Sequence, residues 1–350
     1  MSRSSKRWML VGLGVLAGTG AVCRAAYSTN ATSDATAGAA FRHPVHDGSR
    51  VLAAGNLVVE VMDPSDPQRY NCGVRFTPVA AVLGARLGGR EFLYNPVAHN
   101  PVNDHGGLAA EFDLVTPDDG DDVMPPGYGD ARVGEGYLKV GVGVLCKQAD
   151  RYSLFQHPKL LARASTTVTW HPDAADFHQV CPGTNGYAYV LEAVVWAGGD
   201  TITVDWTLQN TGRKPFTTRQ YVHNFFRFDD CDVGPGYELS FPYGIQVSGM
   251  AAEQHVEGRR IVFDARIPQW VNMAVPWPAG YVGPNTCRVE QRAAGMSASC
   301  ATSMPGLRTA IHARAGYLSP EQFVRLDLAP GERAVWQRRY TFALRDAGGS

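Results

Sequence analysis

The sequence predicts an all-β protein built as an antiparallel sandwich or barrel. Two observations carry this. Short β-type runs follow one another from Leu57 onward, and no long stretch shows a 3.6-residue apolar period. The 38 Gly and 22 Pro are spread along the 350 residues, as frequent turns between short strands require. An alternating βαβ arrangement does not fit that pattern.

The expected strands run in order. Residues 57–62 form the first, and the apolar stretch 75–85 is broken by Pro78. Residues 137–146 alternate, with Leu138, Val140, Val142 and Val144 on one face, and read as a single strand. Runs at 165–170, 187–196 and 201–208 follow, then 217–228, 238–241, 260–263, 323–328 and 335–342. Asn210-Thr211-Gly212 and Pro330-Gly331-Glu332 are turn signals, and each predicts that the strands it joins are antiparallel neighbours. Trp170, Trp196 and Trp206 sit in strand-like runs and are expected in the core.

Composition bounds the function. Hydrophobic residues at 45% and charged residues at 19% suit a globular chain with a sizeable core. A net charge of −1 gives nucleic acid and anionic membrane surfaces no handle. There is no repeat and no clear linker, so one domain is expected over residues 51–345, after a leader at 27–50 rich in Ser, Thr, Ala and Gly.

The first residues read as a signal peptide, 1–26. Arg3, Lys6 and Arg7 precede an apolar stretch at 8–22 that is short for a membrane span, and Ala25 and Ala26 suit cleavage. Export to the periplasm or the medium is therefore expected. An uncleaved N-terminal anchor is the alternative, and the one route to a membrane. Gly20-Ala21-Val22 is a poor lipobox for Cys23. The other cysteines (Cys72, Cys146, Cys181, Cys231, Cys287 and Cys300) show neither C-x-x-C nor paired-His spacing, so no metal site is expected from them. In an oxidising compartment some can pair, and Cys287 with Cys300 is the best-placed couple.

Three segments carry chemistry-bearing residues. In TTRQYVHNFFRFD, 217–229, strand parity puts Tyr221, His223, Phe225 and Arg227 on one face. Val222, Asn224, Phe226 and Phe228 fall on the other, which fits a core. Aromatic rings with a titratable His and a fixed cation make a surface that suits a sugar, through stacking on C–H faces and hydrogen bonds to hydroxyls. A buried, hydrogen-bonded core histidine is the alternative for His223. Asn103-Asp104-His105-Gly106-Gly107 places His105 on a loop where two glycines permit close approach, with a plain Gly turn as the alternative. Glu321 is read at the mouth of a strand just after Pro320, where catalytic carboxylates are often found, with a solvated loop Glu as the alternative.

Other groups are candidates for a groove: Arg75, Tyr128 and Lys139, the last on a face with Glu135 and Tyr137. Asp118, Asp119, Asp121 and Asp122 form an acidic loop without EF-hand spacing, which leaves a calcium site and a solvated loop both open.

Together these segments resemble the galactose mutarotase-like superfamily, whose best-known members are aldose 1-epimerases. VHNFF at 222–226, NDHGG at 103–107, PEQ at 320–322 and RLGGREFLY at 86–94 carry the resemblance, which spans about residues 55–343. It implies a large antiparallel β-sandwich of the supersandwich type and acid–base chemistry at a sugar's anomeric centre without a cofactor. His223 would be the acid, Glu321 the base and His105 a second imidazole on the sugar's hydroxyls. Arg227, Tyr221, Asn224, Asp104, Tyr128, Lys139 and Arg75 would line the substrate, a mono- or oligosaccharide.

The pattern has departures. The arginine motif before the first His is not evident. NDHGG also aligns with the arginine-glycine-glycine phrase of the hexose-phosphate epimerase branch, where His105 replaces an Arg. Glu321 runs straight into FVRLDL without a proline-aspartate phrase. A non-catalytic carbohydrate-binding protein and a polysaccharide lyase-like enzyme are the competing readings on the same fold. The separation of His223 and Glu321 discriminates: the epimerase mechanism needs them together. The sequence names neither the sugar nor the oligomeric state.

Overall fold

The computed structural model describes residues 48–65, 73–95, 106–112, 124–153 and 157–345. Among them are 22 strands and no helix. The first five are β1 (Ser49–Ala54), β2 (Leu57–Met62), β3 (Val82–Leu87), β4 (Arg90–Glu91) and β5 (Leu108–Phe112). Next come β6 (Gly136–Lys139), β7 (Gly143–Cys146), β8 (Leu160–Arg163), β9 (Ser165–Trp170), β10 (Ala174–Thr184) and β11 (Tyr187–Gly198). Then follow β12 (Thr201–Asn210), β13 (Phe216–Asn224), β14 (Tyr237–Ser240), β15 (Gln254–Glu257), β16 (Arg260–Phe263) and β17 (Val271–Pro276). The last are β18 (Asn285–Gln291), β19 (Met296–Thr302), β20 (Arg308–Arg314), β21 (Tyr317–Leu328) and β22 (Arg333–Leu344).

These strands make two large antiparallel sheets and a small one. The first sheet runs β1-β2-β3-β5-β13-β21-β20-β17, with β4 also on β3. The second runs β15-β16-β14-β18-β19-β22-β12-β11-β10-β9, and β6-β7-β8 form the third. The protein is an all-β antiparallel sandwich. Period-2 alternation supplies its core: Val222 of β13, Leu326 and Leu328 of β21, and Ile311 and Ala313 of β20 point inward. Leu208 of β12, Trp336 and Tyr340 of β22, and Val289 of β18 meet them in the same apolar cluster. Trp206 and Trp336 stack with centroids 5.9 Å apart.

A buried cation crosses between the sheets. Arg338 of β22 donates to Gln220 Oε1 at 2.6 and 3.0 Å and to Gln322 O at 2.9 Å. At 1% exposure it is held by amide oxygens, and burial lowers its pKa. At the far side of the first sheet, Glu91 accepts from the N–H groups of Ala85, Phe92 and Leu93 at 3.0–3.1 Å, while Arg86 bridges it to buried Glu60. This closes the β3–β4 turn and gives the REFL phrase a structural role.

Four expectations are corrected. Residues 137–146 are two strands, β6 and β7, because a tight turn at Gly141 (φ 82°) folds them into a hairpin. Both turn signals join strands of different sheets. β12 pairs with β11 and β22, whereas β13 pairs with β5 and β21. The two crossings lie side by side: Asn210 N donates to Glu332 O at 3.0 Å, and Gly331 N to Asn210 O at 2.8 Å. Asn210 Nδ2 also bonds Lys214 O and Leu328 O. Turn chemistry alone does not separate a hairpin from a sandwich corner. Trp196, expected inside, is 37% exposed because its outward parity on β11 opposes that of Val195.

Candidate active site

The outward face of the first sheet carries the chemistry. β13 and β21 keep one register from the Phe216–Leu328 pair to the Phe226–Leu318 bridge, which sets His223 opposite Glu321. Val222 and Leu318 fill the core, so odd-numbered Tyr221, His223, Phe225, Ser319, Glu321 and Phe323 face away from it. On the other side of β13, β5 sets Ala109 opposite His223 and Glu111 opposite Tyr221.

His223 is held at both ring nitrogens. Nδ1 is 2.8 Å from Glu321 Oε1, and Nε2 is 3.0 Å from Glu111 Oε2 and 3.1 Å from the Tyr221 hydroxyl. The Asn224 N–H donates to Ser319 Oγ at 3.0 Å, and that hydroxyl donates to Glu321 Oε1 at 3.0 Å. Glu321 Oε2 makes none of these contacts. The ring is wedged between Phe225, stacked at 5.5 Å, and the edge of Phe76 at 5.1 Å.

Glu111 is the buried anchor. It is fully inaccessible, receives the Tyr221 hydroxyl and Arg75 Nε at 2.9 Å, and lies 3.8 Å from Lys139 Nζ. Burial alone would raise its pKa, but Arg75, His223 and Lys139 outweigh that and hold it at about 2. Burial alone would lower the pKa of His223, but Glu321 and Glu111 outweigh burial and raise it above the ordinary histidine range. Burial, with Glu111 beside it, pushes the Tyr221 phenol well up, so it stays a neutral donor. The site is an imidazole clamped between two carboxylates, which favour its protonated form.

The candidate residues from the sequence separate. His223, Glu321, Tyr221 and Arg75 come together. Lys139 joins them from β6, but at 0% exposure it braces Glu111 rather than lining a groove. Tyr221, also 0% exposed, likewise supports Glu111 from beneath. Asn224 points the other way, with Nδ2 donating to Pro320 O at 2.6 Å, and ties β13 to β21. Arg227 lies past the end of β13, where the alternation breaks, and its guanidinium turns to Asp230 O and Asp232. Tyr128 sits in a separate apolar cluster with Tyr137 and Tyr152 and donates its hydroxyl to Ala149 O. Asp104, His105 and the acidic loop 118–122 lie outside the described residues. Gly107, the last residue of the 103–107 segment, has φ 70° and donates to Tyr94 O while its own carbonyl accepts from Phe225 N, so it brings the chain against the end of β13. A Cβ there would fall 1.9 Å from Val82 O, a place only glycine fills.

Glu111 is the main residue that the sequence reading missed. Its signal was present: Leu108, Ala110 and Phe112 alternate inward, and a carboxylate stands between them on the outward face. A shallow depression of about 350 Å³ lined by Pro126, Tyr187 and Arg325 shares no residue with this cluster.

The sheet order and the outward site define a protein class, the two-sheet β-sandwich with polar chemistry on one face of a large sheet. Solved structures narrow this. The chain is similar to the Slr1438 protein of Synechocystis sp. PCC 6803, at 10% identity and TM-score 0.54, over 86% of this chain and 98% of that one. It is similar to a galactose mutarotase-like protein from Clostridium acetobutylicum, at 11% identity and TM-score 0.53, over 84% and 95%. A candidate aldose 1-epimerase from Escherichia coli K12 matches at 16% identity and TM-score 0.51, over 85% and 99%. The chain therefore has the galactose mutarotase-like fold, in a divergent form. No family model matches the sequence, and no curated protein does.

Proposed function

We propose that this protein is an aldose 1-epimerase-like isomerase acting on a mono- or oligosaccharide, and that it works after export. The contact between His223 and Glu321 carries the reading. In a cyclic sugar the ring oxygen and the anomeric hydroxyl share one carbon, so an acid for the first and a base for the second must be neighbours. The imidazole and carboxylate meet that demand at 2.8 Å.

The chemistry follows from the charges. The His223 imidazolium gives its proton to the ring oxygen while Glu321 takes the proton of the anomeric hydroxyl. The bond between C1 and the ring oxygen breaks, and the electrons of the O–H bond become the carbonyl. Rotation about C1–C2 turns the other face of the aldehyde to the ring hydroxyl. Closure returns one proton to His223 and the other from Glu321. Glu111 supports the acid by holding Nε2 and stabilising the cation.

Glu321→Gln tests this. The variant keeps the hydrogen bond from Ser319 but loses the base, so anomer exchange should fall by roughly 10² to 10⁴. Unchanged exchange would sink the reading. One observation favours a second reading, non-catalytic sugar binding: both ring nitrogens of His223 already face carboxylates. That reading requires sugar binding without anomer exchange.

A further inference from the structure

Beside Glu321, away from His223, the outward face of the sheet is low. Ala310 of β20 is opposite Glu321, and Ala274 of β17 is opposite Ala310. Both are partly exposed, so two short side chains leave a recess next to the carboxylate. Along β20 the recess is flanked by Arg308 and His312, four residues and so about 13 Å apart along the strand. His312 is opposite Ser319 on one side and Asn272 on the other. Its ring lies 5.7 Å from that of Tyr317, which packs edge-on against Phe225 at 4.8 Å.

The tautomer of His312 is set by its partner. Nδ1 is 2.5 Å from Asn272 Oδ1, an oxygen that only accepts, so the ring proton is on Nδ1. Nε2 then presents a lone pair, and it has no partner among the described residues. We propose that this recess is a sugar subsite in which His312 Nε2 accepts a hydrogen bond from a substrate hydroxyl, with Asn272 fixing the tautomer. The proposal rests on the sugar reading above and adds the residue that orients the ring over Glu321. Burial holds the His312 pKa down to about 4, opposed by Glu321 and helped by His223, Arg314 and Arg75, so the ring is a neutral acceptor at physiological pH.

The test is ¹⁵N NMR of the histidine-labelled full chain, titrated with methyl α- and β-D-galactopyranoside and methyl α- and β-D-glucopyranoside. These closed acetals bind without reacting. The free protein should show His312 as the Nδ1–H tautomer, and Asn272→Ala should mix the tautomers. A glycoside should shift the His312 Nε2 resonance. Ala310→Leu, which fills the recess, should abolish that shift while leaving the free-state His312 signal in place. A glycoside that shifts His223 but not His312 overturns the subsite and leaves the epimerase reading standing. A shift of His312 in a protein that exchanges no anomers supports the subsite and removes the catalytic reading. No shift at either histidine overturns both.

Discussion

His223 Nε2 and Glu111 Oε2 lie 3.0 Å apart, and this contact, with that of Glu321 at Nδ1, favours the charged imidazole. Glu111 comes from β5 and Glu321 from β21, so the two strands flanking β13 each place a carboxylate on the same imidazole. The ring cannot turn without breaking one of the two contacts. In the proposed reaction it is an oriented acid.

The alkaline limb of activity should report this contact. In the proposed reaction His223 acts in its protonated form, and its folded pKa is raised by the two carboxylates. Activity is therefore retained below that pKa and lost as pH rises through it. Glu111→Gln removes one anion, so the limb should move to lower pH, read from kcat against pH. A limb that stays in place would show that Glu111 does not set the acid.

Glu111 should also shape acid stability. Its folded pKa of about 2 lies below its ordinary 4.5, so it contributes stability above the higher value that is lost as pH falls toward the lower. Denaturation midpoints should drop between about pH 4.5 and 2 in the parent protein and flatten in Glu111→Gln. At neutral pH the variant should be weaker by about 3–5 kcal/mol, because Arg75 and Lys139 lose their buried anion. An equally steep acid profile in both would count against the burial and pairing described.

Arg338 should prove structural. Arg338→Met keeps the volume but strips Gln220 and Gln322 of their donor across the sheets. Each orphaned acceptor costs about 1–3 kcal/mol, measured by urea denaturation. The charge is already costly to bury, so a neutral result would mean that desolvation cancels the hydrogen bonds.

Much of the site was legible in the sequence because a strand has a period of two. The parity of 217–228 separated Tyr221 and His223 from Val222 and Phe226 before any coordinates. It failed at Arg227 because β13 stops at Asn224. Glu111 and His312 obeyed the same rule, each the outward residue among inward apolar ones, in LAAEF and RTAIHAR. Their partners Arg75 and Asn272 are distant in sequence, so their roles emerged only with the sheet order. The corner turns at 210–212 and 330–332 were illegible for a different reason: Asn-x-Gly and Pro-Gly suit a hairpin as well as a crossing.

Among the described residues, Cys287 and Cys300 are the cysteine pair that the fold brings together. The two are directly opposite on β18 and β19, both are buried, and their sulfurs are 3.1 Å apart as thiols. In a buffer of oxidised glutathione the pair should close to a disulfide, seen as loss of two alkylatable thiols by mass spectrometry. A loop of this size should add about 3 kcal/mol to stability. Persistence of both thiols after full equilibration, with the protein transiently unfolded and refolded, would exclude the pair.

In the proposed reaction His223 and Glu321 move protons at an anomeric carbon. Exchange between the anomers of D-galactose and D-glucose, followed by ¹H NMR with the full-length protein and with His223→Ala, tests it most directly. Exchange should be faster than in buffer alone for the parent protein and should fall by roughly 10² or more in the variant, with its fold retained. Exchange that is equal in buffer, parent and variant, while the sugars still bind, would contradict it.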